Sequence, residues 1–345
     1  MVLRKRVNQY FKENNISRKA NGFMYSKIWF YIIGLAGSYA FLLLTGNWIL
    51  SMVAWILVGL FTALSALNIC HDAIHGSISK KPETNQFFSN IFNVLGANDY
   101  VWNFTHNIVH HSFTNVQGHD EDVDAIPFVR TSPHQPHKGY HRFQVFYAFL
   151  FYGLASISWV FVKDYVKMIK GQIGETKMPV PRKEIIRLIS YKLVYYALFL
   201  VIPMLVLPFS WMLILAGFLI MHYVEGFTIG IIFMLAHLVD HVEFPMPDET
   251  GTLENDWAVH QLYTTANFAQ KNKLVNFITG GLNFQVEHHL FPDISHVHYP
   301  AISQIVEQTA KEYNLPYFSN NSFFPAVRSH IKFLNKMGKG LQPAL

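Results

Sequence analysis

The chain carries eighteen histidines and one cysteine, and the spacing of the histidines is the first sign of chemistry. "HDAIH" sets His71 and His75 at i, i+4, about 40° apart on a helix of ~3.6 residues per turn. "HNIVHH" sets His106 and His110 on one stripe and turns His111 away by roughly 100°. "QVEHH" repeats the doublet at His288 and His289. Two adjacent imidazoles on a helix do not easily aim at one ion, but they can serve two neighbouring ions. Imidazole clusters without cysteine suit iron, copper, nickel or zinc. No glutamate is followed three residues later by histidine, which removes the Glu-x-x-His carboxylate bundles. The zinc-protease HExxH is absent too.

Other polar residues extend the candidate set. "AHLVDH" offers His237, with His241 either continuing the i, i+4 spacing or capping a helix end. His296 follows the last doublet by seven residues and returns to it only if the chain coils through "FPDIS", since Pro292 interrupts a continuous helix. His260 and His298 read as structural neighbours, and His134, His137, His141 and His330 as surface residues. Neutral imidazole ligands need acceptors for their second nitrogens. Asp72, Asp120, Asp240 and Glu287 are the nearest carboxylates in sequence, although "GHDEDVD" (His119, Asp120, Asp122) reads first as a solvated acidic loop. Cys70 excludes an internal disulfide and reads as a small buried residue.

These residues must be positioned by membrane helices. The chain is 51% hydrophobic and 14% charged with net charge +5, against roughly a quarter charged in soluble domains. The basic residues sit at the ends of apolar runs, without the patch that nucleic acid would require. Spans are expected at 28–46, 48–70, 188–207 and 211–236, each near the ~20 residues one crossing needs, in two hairpins turned by "TGN" (Thr45 to Asn47) and "PFS" (Pro208 to Ser210). Arg4, Lys5, Arg6, Lys12, Arg18, Lys19 and Lys27 precede the first span, and Lys163, Lys167, Lys170, Lys177, Arg182, Lys183 and Arg187 the third. The positive-inside bias therefore places residues 1–27, 71–187 and 237–345, with both termini, in the cytoplasm. Phe143 to Val162, uncharged and aromatic, is expected to lie along the headgroups and not to cross. A helix over Pro300 to Tyr313, with Ile302, Ile305, Val306 and Tyr313 on one face, should cover the site. His222 and Glu225 fall within the fourth span, where ionisable groups are functional candidates; they also suit a self-satisfied i, i+3 pair. The expectation is a single all-α integral membrane domain, four transmembrane helices in two hairpins with a cytoplasmic helical cap.

In order and separation, "HDAIH", "WNFTHNIVHHSFTN", "DWAVHQLYTTANF" and "GGLNFQVEHHLFP" resemble the membrane fatty acid desaturases, over about Ile28 to Tyr317. Gln285 in the third box looks like the front-end or linoleoyl-CoA-desaturase-like branch. The resemblance implies two ferrous ions on the cytoplasmic side, held by His71, His75, His106, His110, His111, His237, His288 and His289. Gln285 stands where related enzymes have a further histidine, as a ligand or a neighbour of one; His241, His296, Asp72 and Asp240 are further candidates for that outer role. It implies an acyl-CoA or acyl-lipid substrate, dioxygen, and a cis double bond as product, since no side chain is oxidant enough for an unactivated methylene. The haem-binding HPGG motif of fused cytochrome-b desaturases does not occur, so an external ferredoxin or small cytochrome is the expected donor. That departure, and the lack of an endoplasmic-reticulum retrieval signal in "MGKGLQPAL", favours a bacterial inner membrane. Rival readings are a hydroxylase or conjugase on the same scaffold, a metal transporter with ligands near the bilayer midplane, and a haem electron carrier.

Overall fold

Short polar side chains fix where the long apolar helices begin. Asn21 accepts from the Met24 amide, Asn47 from those of Ile49 and Leu50, and Ser210 from that of Leu213, each satisfying donors that a helix start leaves open. The computed structural model describes residues 2–122 and 128–341; the end of "MGKGLQPAL" lies outside them. The helices are α1 (Val2–Glu13), α2 (Gly22–Leu44), α3 (Trp48–Ile74), α4 (Pro82–Val94), α5 (99–110), α6 (Gly139–Tyr152), α7 (Ala155–Lys170), α8 (Arg182–Val206), α9 (Trp211–His237), α10 (Trp257–Thr264), α11 (Lys273–Thr279), α12 (Gln285–Leu290), α13 (Tyr299–Glu312) and α14 (Phe323–Gly338). Strands are minor: Gln172–Ile173 pairs antiparallel with Thr176–Lys177, and Ala266–Phe268 pairs parallel with Phe318–Asn320.

Among the described residues, four helices, α2, α3, α8 and α9, are long and apolar enough to cross a membrane. They expose large apolar side chains such as Ile33, Leu44, Leu193, Leu205 and Trp211, as segments solvated by lipid do. α3 and α9, at 27 residues each, run about 40 Å at ~1.5 Å per residue and outlast a ~30 Å hydrocarbon core. Both continue past the expected ends at 70 and 236. They pack on each other so closely that a Cβ on Gly59 would lie 2.3 Å from the Met221 carbonyl oxygen, so only glycine fits there.

The segment expected as one interfacial helix is two. α6 and α7 bend by 68° at a break over residues 153–154. Gln144, Ala148 and Tyr152 of α6 are buried, while Phe143, Phe146 and Leu150 are exposed. The break rests on α9 at Gly226, where a Cβ would meet the Gly153 carbonyl at 2.7 Å and the Ser156 amide at 2.9 Å. Beyond the long helices, α13 buries Ile302 and Val306 against Val7 and Phe11 of α1, whereas Tyr313, expected on that face, is 55% exposed because the helix has ended. α14 packs on α6, and His330 there is fully buried between the Tyr152 hydroxyl (2.7 Å) and the Leu238 carbonyl (2.7 Å). His141 is buried too. Both were expected at the surface; each finds a hydrogen-bond partner inside, which polarity in sequence does not reveal.

Candidate metal centre

Two departures from regular α-helix shape the site. α3 changes to π winding over Ala66–Cys70, immediately before His71, and α5 is π-wound over Asn103–His110. In the latter, the His111 amide bonds the His106 carbonyl at 3.0 Å, an i→i+5 closure common at functional sites. His110 and His111 still face different ways, their ring planes 84° apart, but the wider turn draws His111 back towards His106. His111 Nε2 comes back to 3.3 Å from His106 Nε2 and 3.1 Å from His288 Nε2. The α3 end supplies His71 and His75, whose rings lie 4.7 Å apart; α12 brings His288 to 4.5 Å from His71; α9 ends on His237, 4.7 Å from His110 and 4.9 Å from His289.

The nitrogens fall into overlapping groups, each within reach of one ion. His71, His75, His106 and His288 make one, and His110, His237 and His289 another. His111 with His288 and His289 bridges them; the ligand atoms of each group lie within 4.8 Å of one another. The outer nitrogens are held by the protein. His110 Nδ1 meets Asp120 Oδ2 at 2.9 Å, His106 Nδ1 meets Asp122 Oδ2 at 3.5 Å, and His289 Nδ1 meets Gln261 Oε1 at 2.7 Å. His288 Nδ1 faces the Tyr299 hydroxyl at 3.3 Å, and His237 Nδ1 the Thr264 carbonyl at 3.4 Å. Trp102 stacks on His106, ring centroids 4.3 Å apart.

Six of the box nitrogens lack protein partners. His71 Nδ1 and Nε2, His75 Nε2, His110 Nε2, His111 Nδ1 and His289 Nε2 are buried with no hydrogen bond. Facing Nε2 atoms at about 3 Å share at most one proton between them. Burial first, then the surrounding imidazoles, hold His75, His106, His111, His288 and His289 well below the ordinary histidine range. For His110 burial works the same way, but Asp120 outweighs it and raises the group. Neutral rings with inward lone pairs are what a borderline-soft cation requires. Left empty, each orphaned buried nitrogen costs about 1–3 kcal/mol, so the donor set fits a pair of metal ions better than it fits none.

The remaining candidates lie elsewhere. His241 is exposed and away from the cluster, because α9 stops at His237 and Leu238 leaves helical geometry (φ −115°, ψ 64°); the i, i+4 spacing then has no meaning. His296 is buried, but its Nε2 meets Lys27 Nζ at 2.8 Å and its Nδ1 meets Asp72 at 3.0 Å. Asp72 also accepts from Ser295 at 3.0 Å and bonds none of the box imidazoles. Asp240 lies between Lys332 and Lys336. Glu287 accepts from Asn267 (2.9 Å) and Tyr317 (2.7 Å), and burial pushes it up to about 7 against those bonds. His298 bonds the Lys19 carbonyl at 3.0 Å, and Cys70 packs among Ala66, Phe92 and Trp102. Asp120 is no solvated loop residue: it is 2% exposed. Gln285 Nε2 lies 2.8 Å from His237 Nε2, inside the cluster. Sequence reasoning missed Gln261, Tyr299 and Trp102; Gln261 sits within the quoted "DWAVHQLYTTANF" and Trp102 opens the quoted "WNFTHNIVHHSFTN", four residues before His106, whereas Tyr299 carries no spacing signal.

An open-mouthed cavity meets the cluster, with His71, His106 and Gln285 in its wall. Apolar side chains dominate the rest of its wall: Ala66, Leu67 and Ile74 of α3, Phe92 of α4, Trp102 of α5, Trp159 of α7, and Ile229, Phe233 and Met234 of α9; Thr105, Asp122, Ser156, Lys163 and Lys167 are its other polar positions.

The sequence model for fatty acid desaturases matches residues 46–321. The sn-1 linoleoyl-lipid 6-desaturase of Synechocystis is 34% identical over 341 residues, covering 98% of this chain and 95% of the relative. That of Arthrospira platensis is 32% identical, covering 97% and 91%. An acyl-lipid (8-3)-desaturase of Physcomitrium patens is 34% identical, covering 98% of this chain and 71% of its own.

Proposed function

The chain belongs to the fatty acid desaturase family, and from that premise we propose that it introduces a cis double bond into a lipid-linked acyl chain at a di-iron centre. The observation that carries the reading is the convergence of buried, unpartnered imidazole nitrogens on the wall of an apolar cavity. The relatives act on acyl-lipids by name, which favours a lipid ester over a CoA thioester.

His71, His75, His106 and His288 would hold one iron and His110, His237 and His289 the second, with His111 between them. Two ferrous ions there, with dioxygen and electrons from an external ferredoxin or small cytochrome, supply the oxidising power that side chains lack. The protein's own part is positioning. Asp120, Asp122, Gln261, Tyr299 and the Thr264 carbonyl fix the outer nitrogens, so each ring presents its other nitrogen inward. Trp102, Phe92, Trp159 and Phe233 displace water from the acyl chain and hold it against the wall that contains His71 and His106. Gln285 touches both cavity and cluster, and its place beside His237 suits a weak ligand or an orienting amide.

On this reading the long ends of α3 and α9, in two hairpins whose basic flanks face inward by the positive-inside bias, would carry the centre at the cytoplasmic surface of a membrane, the bacterial inner membrane by preference. Ligands at helix ends argue against a transporter with a midplane site.

The test is expression with a redox partner in a host without this activity, feeding oleate, linoleate and α-linolenate, and product analysis by gas chromatography–mass spectrometry. A new cis double bond supports the reading and gives its position. A hydroxylated product moves the chain to the hydroxylase reading. No product from iron-loaded protein that the donor reduces overturns the substrate class.

A further inference from the structure

A second buried polar group lies in the fourth span, far from the histidine cluster. His222 is fifteen residues before His237, about 22 Å along α9 at ~1.5 Å per residue. It is 1% exposed. Its Nε2 meets the Tyr195 hydroxyl at 2.7 Å and its Nδ1 the Ser156 hydroxyl at 2.8 Å. Glu225 Oε2 lies 3.8 Å from His222 Nδ1 and is buried without a hydrogen-bond partner. Four polar side chains from three helices, inside or against membrane spans, are costly to keep there.

The cavity explains where they are. Ser156, Trp159, Lys163 and Lys167 of α7 all line it, so this one helix face runs its length, about 16 Å from Ser156 to Lys167 at ~1.5 Å per residue. Lys163, Lys167 and Asp122 occupy one end; Asp122 is 22% and Lys167 12% exposed. The other end is closed: Ser156 is 2% exposed, and Gly226 seats the bend at Gly153 directly on α9. His71 and His106 line the wall of the same cavity.

We propose that the Ser156–His222–Tyr195–Glu225 group is the end-stop of the acyl cavity and selects the length of the methyl-end segment of the substrate. The inference rests on the acyl desaturase reading. A chain long enough to pass Ser156 parts its hydroxyl from His222 and leaves two buried polar atoms against methylenes, with Glu225 beyond. A chain too short leaves its end of the cavity without contacts. Apolar walls alone reject extra length only by packing; a hydrogen-bonded floor adds a penalty that an acyl terminus has no group to offset.

The experiment is a competition in cells expressing the full chain with its redox partner, fed equal amounts of a homologous series of sixteen, eighteen and twenty carbons with matching unsaturation from the carboxyl end. Each substrate's conversion is read as a ratio to the others. Ser156→Leu, which fills the floor, is expected to shift the ratio of the preferred acid to its next shorter homologue by about tenfold or more, the discrimination of a methylene or two in an apolar pocket. Ser156→Thr, which keeps the hydroxyl and adds one methyl, should shift it less and in the same direction, and decides the matter if the leucine variant does not fold. Bond position counted from the carboxyl end should not move. Unchanged ratios in folded, active variants overturn the end-stop while the desaturase reading stands. No product from the wild type removes both.

Discussion

Asp120 is the side chain whose removal should distinguish the two halves of the proposed di-iron centre. Its Oδ2 accepts from His110 Nδ1 and from the Asn115 amide, both at 2.9 Å, and its Oδ1 accepts from the Asp122 amide at 3.1 Å. An asparagine at 120 has one acceptor oxygen for those three donors and turns an NH2 toward at least one of them. With that NH2 facing His110 the charged bond is lost outright, a change of about 1.5–3 kcal/mol, or roughly 10- to 150-fold in affinity at ~1.4 kcal/mol per decade. The range agrees with the ~10–100-fold typical of outer-shell changes at metal sites. It should fall on the group of His110, His237 and His289, because His71, His75 and His288 do not touch Asp120. The assay is iron per chain after dialysis of detergent-solubilised protein against graded chelator. Wild type should lose its two irons over one range of chelator; Asp120→Asn should lose one at roughly tenfold less chelator or lower, and keep the other. Activity should fall with the first loss. Two irons retained through the wild-type range would refute the role given to Asp120, and loss of both together would refute the division into two groups.

Other outcomes follow from the same structure. Metal removal should lower the thermal midpoint in detergent, and ferrous iron should restore it by mass action, by about 2.7 kcal/mol at a hundredfold excess over Kd; a midpoint indifferent to iron would contradict the cost assigned to the orphaned nitrogens. Gly226→Val should destabilise by about 1–3 kcal/mol as the Gly153–Ser156 backbone is pushed away, read as a lower midpoint. For Asp240, burial raises the carboxyl but Lys332 and Lys336 outweigh it and hold it low. Its contribution is then present above the ordinary carboxylate value of about 3.9 and is lost as pH falls through the lowered one. Asp240→Asn should flatten acid unfolding in that window without altering stability's slope near neutrality.

Much of this was legible beforehand because apolar run length and histidine spacing are local properties. Thr45 to Asn47 and Pro208 to Ser210 mark the turns in plain sequence, and the boxes mark the cluster. What was not legible depends on local winding or on distant partners. No residue type announces the π closures at Ala66–Cys70 and Asn103–His110, yet they decide where His71 and His111 point. His241 was misplaced because a helix end one turn early is invisible to an i, i+4 count. Asp72 and Asp240, adjacent to ligand candidates in sequence, turn to Ser295 and to Lys332 and Lys336, whereas the acceptor for His289 is Gln261, known only once α10 and α12 meet. Sequence neighbours of a ligand are poor guides to what holds it, because a helix turns successive side chains to different partners.

The meeting of His71 with His288 has a consequence for how the protein is made. More than two hundred residues separate them, and at roughly 5–20 residues per second a ribosome needs about ten to forty seconds to supply the second after the first. Throughout that interval the first and second boxes are in the membrane's service without their closing partners. Any divalent ion they bind early is held by an incomplete set, under the Irving–Williams preference for copper over iron. Only the arrival of α12, after the fourth span, completes the groups of nitrogens. The full donor set therefore forms late in biogenesis, and the metal at hand during the final stretch of translation is the one it would enclose.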